Sequence, residues 1–169
     1  RSYGAIAQRG VTNKRNRPVE PERITTLRLT REDPLITHAK FTRNYIIPAL
    51  TPQNLREVAA TSMLMQVIGN GIKSRIYQDL VVKQQVASTA GAASSFGLVD
   101  SSVISIWATA ADGKSPEAVE KAIDALIADV IQNGISAEEL AEAKDESRAS
   151  LVYSRVSQYS RANMYGWNL

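Results

Sequence analysis

The sequence predicts an α+β fold: an antiparallel sheet with helices packed on one face, in the order ββααββαα. Two kinds of observation carry this prediction. Residues 23–30, 35–46 and 101–110 alternate in a period of two, and residues 86–95 form a run of small, strand-compatible residues. Four other stretches have helix-start chemistry or helical apolar spacing, and they come in two pairs, one behind each pair of strands. The repeated rhythm has no matching self-similarity in sequence.

Residues 1–22 are poor in core residues, carry Gly4, Gly10, Pro18 and Pro21, and read as a lead-in segment with a short strand around residues 3–7. Residues 23–169 read as one domain, trimmed at its C-terminal end. In 23–30, Ile24, Thr26 and Arg28 alternate with Thr25, Leu27 and Leu29; in 35–46, Leu35, Thr37, Ala39, Phe41 and Arg43 alternate with Ile36, His38, Lys40, Thr42 and Asn44. Arg31-Glu32-Asp33-Pro34 between them is turn chemistry, so the two runs are expected to form a hairpin. Thr51 at N-cap and Pro52 at N1 then open a helix whose stripe is Leu55, Val58, Ala59, Ser62, Met65 and Ile68, widened by Met63, Leu64 and Val67. Gly69-Asn70-Gly71 ends it, since glycine and asparagine accept the left-handed conformation.

A shorter helix is expected over 73–83, with Ile76, Tyr77, Leu80 and Val81 inward. The strand at 86–95 follows, and its alanines and Gly91 leave room for a close approach to the backbone. After a turn at Gly97 and Asp100, the strand at 101–110 sets Val103, Ser105, Trp107 and Thr109 opposite Ile104, Ile106 and Ala108, which completes a second hairpin. Ser115-Pro116-Glu117 starts a helix with Val119, Ile123, Leu126, Ile127, Val130 and Ile131 at amphipathic spacing, closed by Gly134. Ser136 and Glu139 form a capping box. The helix they open is expected to run to about Tyr159, with the weaker apolar positions Leu140, Ala143, Leu151, Val152 and Val156.

Composition removes several function classes. The chain has 169 residues, is 44% apolar and 22% charged, and carries a net charge of +3, which is ordinary globular composition. No apolar run reaches the roughly 18 residues of a membrane span. The absence of cysteine removes disulfides, thiolate metal sites and cysteine nucleophiles. His38 is the single histidine, where cysteine-free zinc sites mostly use two or three, and mid-strand it reads as structural. The first 17 residues are one-sidedly basic through Arg1, Arg9, Lys14, Arg15 and Arg17, but no aromatic residues are spaced for base stacking, so they read as a solvated linker and not as a nucleic-acid grip. The chain begins at Arg1 with no initiator methionine or signal peptide, and reads as a piece of something longer.

Several motifs occur in order: P-E-R-I at 21–24, G-N-G-I-K-S-R-I-Y at 69–77, L-V-V-K-Q-Q-V-A at 80–87 and N-G-I-S-A-E-E-L-A-E-A-K at 133–144. S-L-V-Y-S at 150–154 and the R-A-N-M-Y-G-W-N-L ending at 161–169 complete the set. With these motifs the chain resembles, over nearly its whole length, the non-zinc C-terminal domain of the pitrilysin/insulinase-type zinc peptidases, which include the mitochondrial processing peptidase. The resemblance implies a parent endopeptidase built from two halves around a chamber, with zinc held on an inverted H-x-x-E-H motif whose glutamate is the general base. That motif is not on this chain: no glutamate lies within three residues of His38. In the opposite half of such enzymes an arginine and a tyrosine, seven residues apart, polarise the scissile carbonyl; here those positions fall at Val81 and Ser88. Valine has no side-chain hydrogen-bond donor.

No catalytic or metal-binding residue is assigned, and no cofactor belongs to this stretch; zinc is expected in the parent protein. The resemblance implies as partners a peptide or unfolded protein substrate, a zinc-bearing domain of the same chain, and a second half or partner subunit with the Arg/Tyr pair. The expected role is to shape the chamber and bind extended peptide. Ser88, Thr89, Ala90 and Gly91 are the candidate strand edge; a plain core strand packed closely against a helix is the competing reading of the same residues. The alternative for the whole is a structural, core-type subunit domain of this fold with no proteolytic role. The resemblance suggests a periplasmic parent and leaves a mitochondrial one open.

Overall fold

The computed structural model describes residues 24–96 and 100–167, together with positions 7, 10, 18 and 21. The expected strand at 3–7 (apart from Ala7), the basic arm and the turn residue Gly97 lie outside the described residues. In chain order the elements are β1 (Lys40–Pro48), α1 (Leu55–Gly69), α2 (Arg75–Tyr77, running on as a π-helix over Gln78–Lys83), β2 (Ala87–Ser95), β3 (Ser101–Ala110), α3 (Pro116–Asn133), α4 (Ala137–Val156) and α5 (Gln158–Trp167). The fold is α+β, with a three-stranded antiparallel sheet in the order β1-β3-β2.

The order therefore begins with one strand and not two. Residues 24–30 join no ladder, and the chain becomes a strand only at Lys40. Alternation makes a segment fit to be extended, but a strand also needs a partner edge. Here Asp33 folds the connection on itself, accepting from the Leu35 amide through its side chain and from the Ile36 amide through its carbonyl. Arg28 is held by both carboxylate oxygens of Glu120 on α3, at 2.8 and 2.7 Å. Ile24, Leu27, Leu29, Leu35 and Ile36 remain exposed. The second hairpin forms as its sequence implies, and β3 occupies its expected span.

One face of the sheet carries the core. Ala87, Ala92, Ile106, Ala108 and Ala110 pack with Met65 and Ile68 of α1, Ile76 and Leu80 of the α2 segment, and Val119, Ala122, Ile123 and Leu126 of α3. Ile76, Leu80, Val119 and Ile123 are fully buried, each contributing about 1.5–3 kcal/mol relative to exposure. Ile131 is exposed, while Ile127 and Val130 pack against the core, so the apolar stripe is wider than the face that α3 lays on the sheet. The opposite face presents Thr42 and Asn44 of β1 and Val103, Ser105, Trp107 and Thr109 of β3.

Helix ends follow local chemistry with two departures. Ser115 caps α3 by accepting from the Ala118 amide, and Pro116 sits in the first turn. Ser136 and Glu139 make both bonds of the capping box. The first departure is α1, which begins at Leu55 and not at Pro52: the Asn54 carboxamide accepts from Thr51 N at 2.8 Å and donates to Ala49 O at 2.8 Å, holding residues 51–54 as a turn. The second is α4, which stops at Val156; Ser157 is extended, and its hydroxyl accepts from the Ser160 amide to start α5.

Candidate functional site

Strand β2 lies at the edge of the sheet, and among the described residues it pairs with β3 alone. Alternate residues of an edge strand turn their N–H and C=O groups away from the sheet, where another chain can pair with them. Ser88 and Thr89 are exposed, Ala90 is half-buried and Gly91 is buried. The four candidate residues are thus contiguous on an edge that the described residues leave unpaired, but they differ in what they offer. Ser88 is the extra residue of a bulge, since the register passes from Ala87↔Ala110 to Thr89↔Thr109. Its hydroxyl donates weakly to the Thr109 carbonyl at 3.4 Å.

The small residues of β2 have neighbours on both faces. A Cβ on Gly69, the last residue of α1, would lie 2.3 Å from the backbone N and O of Ala92. A Cβ on Gly91 would lie 2.7 Å from Cζ2 and 2.9 Å from Cε2 of Trp107. The strand is small on one side so that α1 can cross it and on the other so that the indole can lie over it.

The approach to this edge is irregular over eleven residues. From Gln78 the helix widens to π geometry, with the Gln84 amide donating to the Asp79 carbonyl at 2.9 Å. Gln85 has φ 52°, the one non-glycine residue in the left-handed region among those described. The bulge at Ser88 follows. π-segments, left-handed non-glycine residues and bulges each concentrate at functional positions. The structure sets Val81 half-buried in the π-segment against the core and Ser88 exposed on the bulge. Neither can supply a charge to a peptide carbonyl.

Arg75 fastens this approach to the rest of the domain. Its Nε and Nη2 donate to the two carboxylate oxygens of Glu139 at 2.5 and 2.6 Å, and Nη1 reaches Asp129 at 3.4 Å. Glu139 is also the capping-box glutamate of α4. The motifs at 69–77 and 133–144, separate in sequence, are thereby the two halves of one bidentate contact. Hydrogen bonding from Arg75 holds the Glu139 carboxyl below its ordinary range and raises the guanidinium. Within the turn before α2, Gly71 takes φ 76°, and the buried Ser74 donates to its carbonyl at 2.7 Å. Gly69 and Asn70 do not take the left-handed position.

A second polar cluster sits between β1 and α3. Arg43 donates to Asp124 at 2.5 Å and to Glu120 at 3.1 Å, and lies 5.3 Å over the Phe41 ring. Hydrogen bonding from Arg28, joined by Arg43, lowers the Glu120 pKa. His38 lies in a bend before β1 and not within a strand; its Nδ1 is 3.3 Å from Asp112. Among the described residues no group of three or more His, Cys, Asp or Glu could hold a metal ion. A shallow polar cavity of about 340 Å³ between α1 and α4, lined by Gln66, Asn70, Glu146, Ser147 and Ser150, contains none of the candidate residues. No helix among the described residues is long and apolar enough to cross a membrane.

Three features of the site were not legible in sequence. Alternation groups Trp107 with Val103, Ser105 and Thr109, but its position over Gly91 depends on the register of β2 against β3. The π-widening and the conformation of Gln85 have no sequence signature. The Arg75–Glu139 contact had half a signal, an arginine after the glycine turn, without any indication of which carboxylate it meets.

Comparison with known proteins gives a consistent picture. Residues 2–147 match the family described as the peptidase M16 inactive domain. Among solved structures, a protease from Helicobacter pylori is similar at 24% identity and a TM-score of 0.72, with 79% of this chain and 31% of that one covered. The inactive peptidase domain of a candidate zinc protease from Bordetella parapertussis is similar at 13% identity and a TM-score of 0.61, covering 76% of this chain and 69% of that one. An M16-like peptidase from Alicyclobacillus acidocaldarius gives 17% identity and a TM-score of 0.61, over 74% of this chain and 29% of that one. The chain thus spans about a third of the length of the Helicobacter and Alicyclobacillus proteins. Curated protein sequences yield no match.

Proposed function

This chain belongs to the peptidase M16 inactive-domain family, and from that premise we propose that it is the non-catalytic chamber domain of a two-half zinc endopeptidase. In this reading it binds extended peptide along the free edge of β2 through Ser88, Thr89, Ala90 and Gly91. Zinc and the general base belong to a preceding domain of the same protein, and the Arg/Tyr pair to another half or a partner subunit. The observation that carries the reading is the position of β2 at the sheet edge, with its outward main-chain groups unpaired among the described residues. Strand addition draws affinity from main-chain hydrogen bonds and is tolerant of sequence, as a chamber handling varied substrates requires.

The test is amide hydrogen exchange with and without an extended Thr/Ala peptide. Added protection confined to residues 88–94 supports the reading; no added protection in β2 overturns it. A companion assay measures peptidase activity of the full-length parent, with and without a zinc chelator, alone and with its partner half. Chelator-sensitive cleavage in the mixture alone supports the split site.

A second reading, a structural core-type domain with no proteolytic role, is favoured by one observation. The packing of Gly69 on Ala92 and of Trp107 on Gly91 already accounts for the small residues of β2. Cleavage by no pairing, with no metal bound to the parent, would decide for it.

A further inference from the structure

Resting on the strand-addition reading, we propose that Trp107 is the specificity-determining residue of the β2 edge, selecting an apolar or aromatic side chain at the peptide position opposite Gly91. Trp107 lies on β3, directly across from Gly91. Its six-membered ring fills the volume that a side chain of Gly91 would occupy, with Cζ2 and Cε2 2.7 and 2.9 Å from the ideal Cβ position. Gly91 therefore has a borrowed side chain, and it is aromatic.

A peptide strand added to β2 would run about 4.8 Å from it. Directly opposed residues on one face then have their Cβ positions about 4.5–5.5 Å apart. The cross-strand neighbour of the peptide residue opposite Gly91 is thus the benzo edge of Trp107. Thr89 and Ala93 flank that position on the same face of β2, and both are exposed and uncharged. An apolar or aromatic guest gains contact with the indole there, while a carboxylate loses water without meeting a partner. Peptide positions one residue before or after point to the other face, beside Ala90 and Ala92, where α1 covers the sheet. The selection is therefore expected at one position and its alternates, not uniformly along the peptide.

The experiment uses the chain with Trp167→Phe, so that Trp107 is the single tryptophan, and extended Thr/Ala peptides with one guest residue. A leucine or phenylalanine guest is expected to bind about five- to tenfold more tightly than aspartate at the same position. Trp107→Thr is expected to abolish that ratio and Trp107→Tyr to retain it. A 4-bromophenylalanine guest quenches Trp107 fluorescence at that position and not when moved by one residue, a readout that stands even if Trp107→Thr does not fold. Equal affinity for all guests, or quenching indifferent to position, with β2 amides still protected, overturns this inference and leaves strand addition intact. No protection of β2 by any peptide overturns both.

Discussion

Gly69 and Gly91 are glycines for different reasons, and substitution separates them. A Cβ at Gly69 meets the Ala92 backbone, which cannot move without disturbing the ladder to β3. Gly69→Ala is expected to destabilise the fold by about 3 kcal/mol, the upper end for overpacking. Gly91→Ala meets the indole of Trp107, a side chain and not backbone, and a smaller cost of about 1–2 kcal/mol is expected. Gly71→Ala has open space but a left-handed backbone, for a cost of about 1–2 kcal/mol. Urea unfolding of the three variants checks the order. Glu139 offers a titration test. Its folded pKa is lowered by Arg75, so its contribution to stability is present above the ordinary glutamate value of about 4.3 and is lost as pH falls through the folded value. Glu139→Gln is expected to flatten the loss of stability on acidification below about pH 5, read from urea midpoints across pH. In the sequence Arg75 simply follows the glycine turn at 69–71. That it meets the carboxylate capping α4 came only from the structure, since the two residues are 64 positions apart.

Among the elements, those with strong local chemistry were the legible ones. α3 and α4 begin where serine caps say they should, and β3 spans the alternating run. Ser115→Ala and Ser136→Ala are each expected to cost about 1 kcal/mol, with the two effects additive because the caps share no partner; thermal denaturation of the single and double variants measures this. The elements read differently were those whose outcome depends on a neighbour. Residues 24–30 have a strand pattern but are held by Arg28 to α3 away from any ladder, and Asn54 replaces the expected Thr51 cap by bonding on both sides of the turn. The position of β2 at the edge also has a dynamic consequence. Its outward amides are expected to exchange faster than those of β3, which is paired on both sides, by an order of magnitude or more in native-state hydrogen exchange.

For the molecule as a whole, the M16 inactive-domain family and the α+β class agree with the motif resemblance, while the element order differs by the absent strand at 24–30 and by the division of the last helix into α4 and α5. The Arg75–Glu139 contact gives a physical reason why the motifs at 69–77 and 133–144 occur together: they close one ion pair between the segment leading into β2 and the start of α4. At this scale the expectation is functional. The chain by itself is expected to show no chelator-sensitive peptidase activity, and on the proposed reading cleavage requires both a zinc-bearing domain and a half with the Arg/Tyr pair, as a fluorogenic peptide assay would report.

The sequence by itself determined what rests on nearest neighbours along the chain: the serine caps of α3 and α4, the β2–β3 hairpin and the amphipathic face of α3. Tertiary structure alone decided what rests on contacts between distant segments. It put β2 at the edge and β3 at the centre, left residues 24–30 without a ladder, laid Trp107 over Gly91, and matched Arg75 with Glu139. The division follows from the physics. Capping and periodicity are settled within a turn or two of chain, whereas strand order and register depend on which distant surfaces bury one another, and no local pattern encodes the partner.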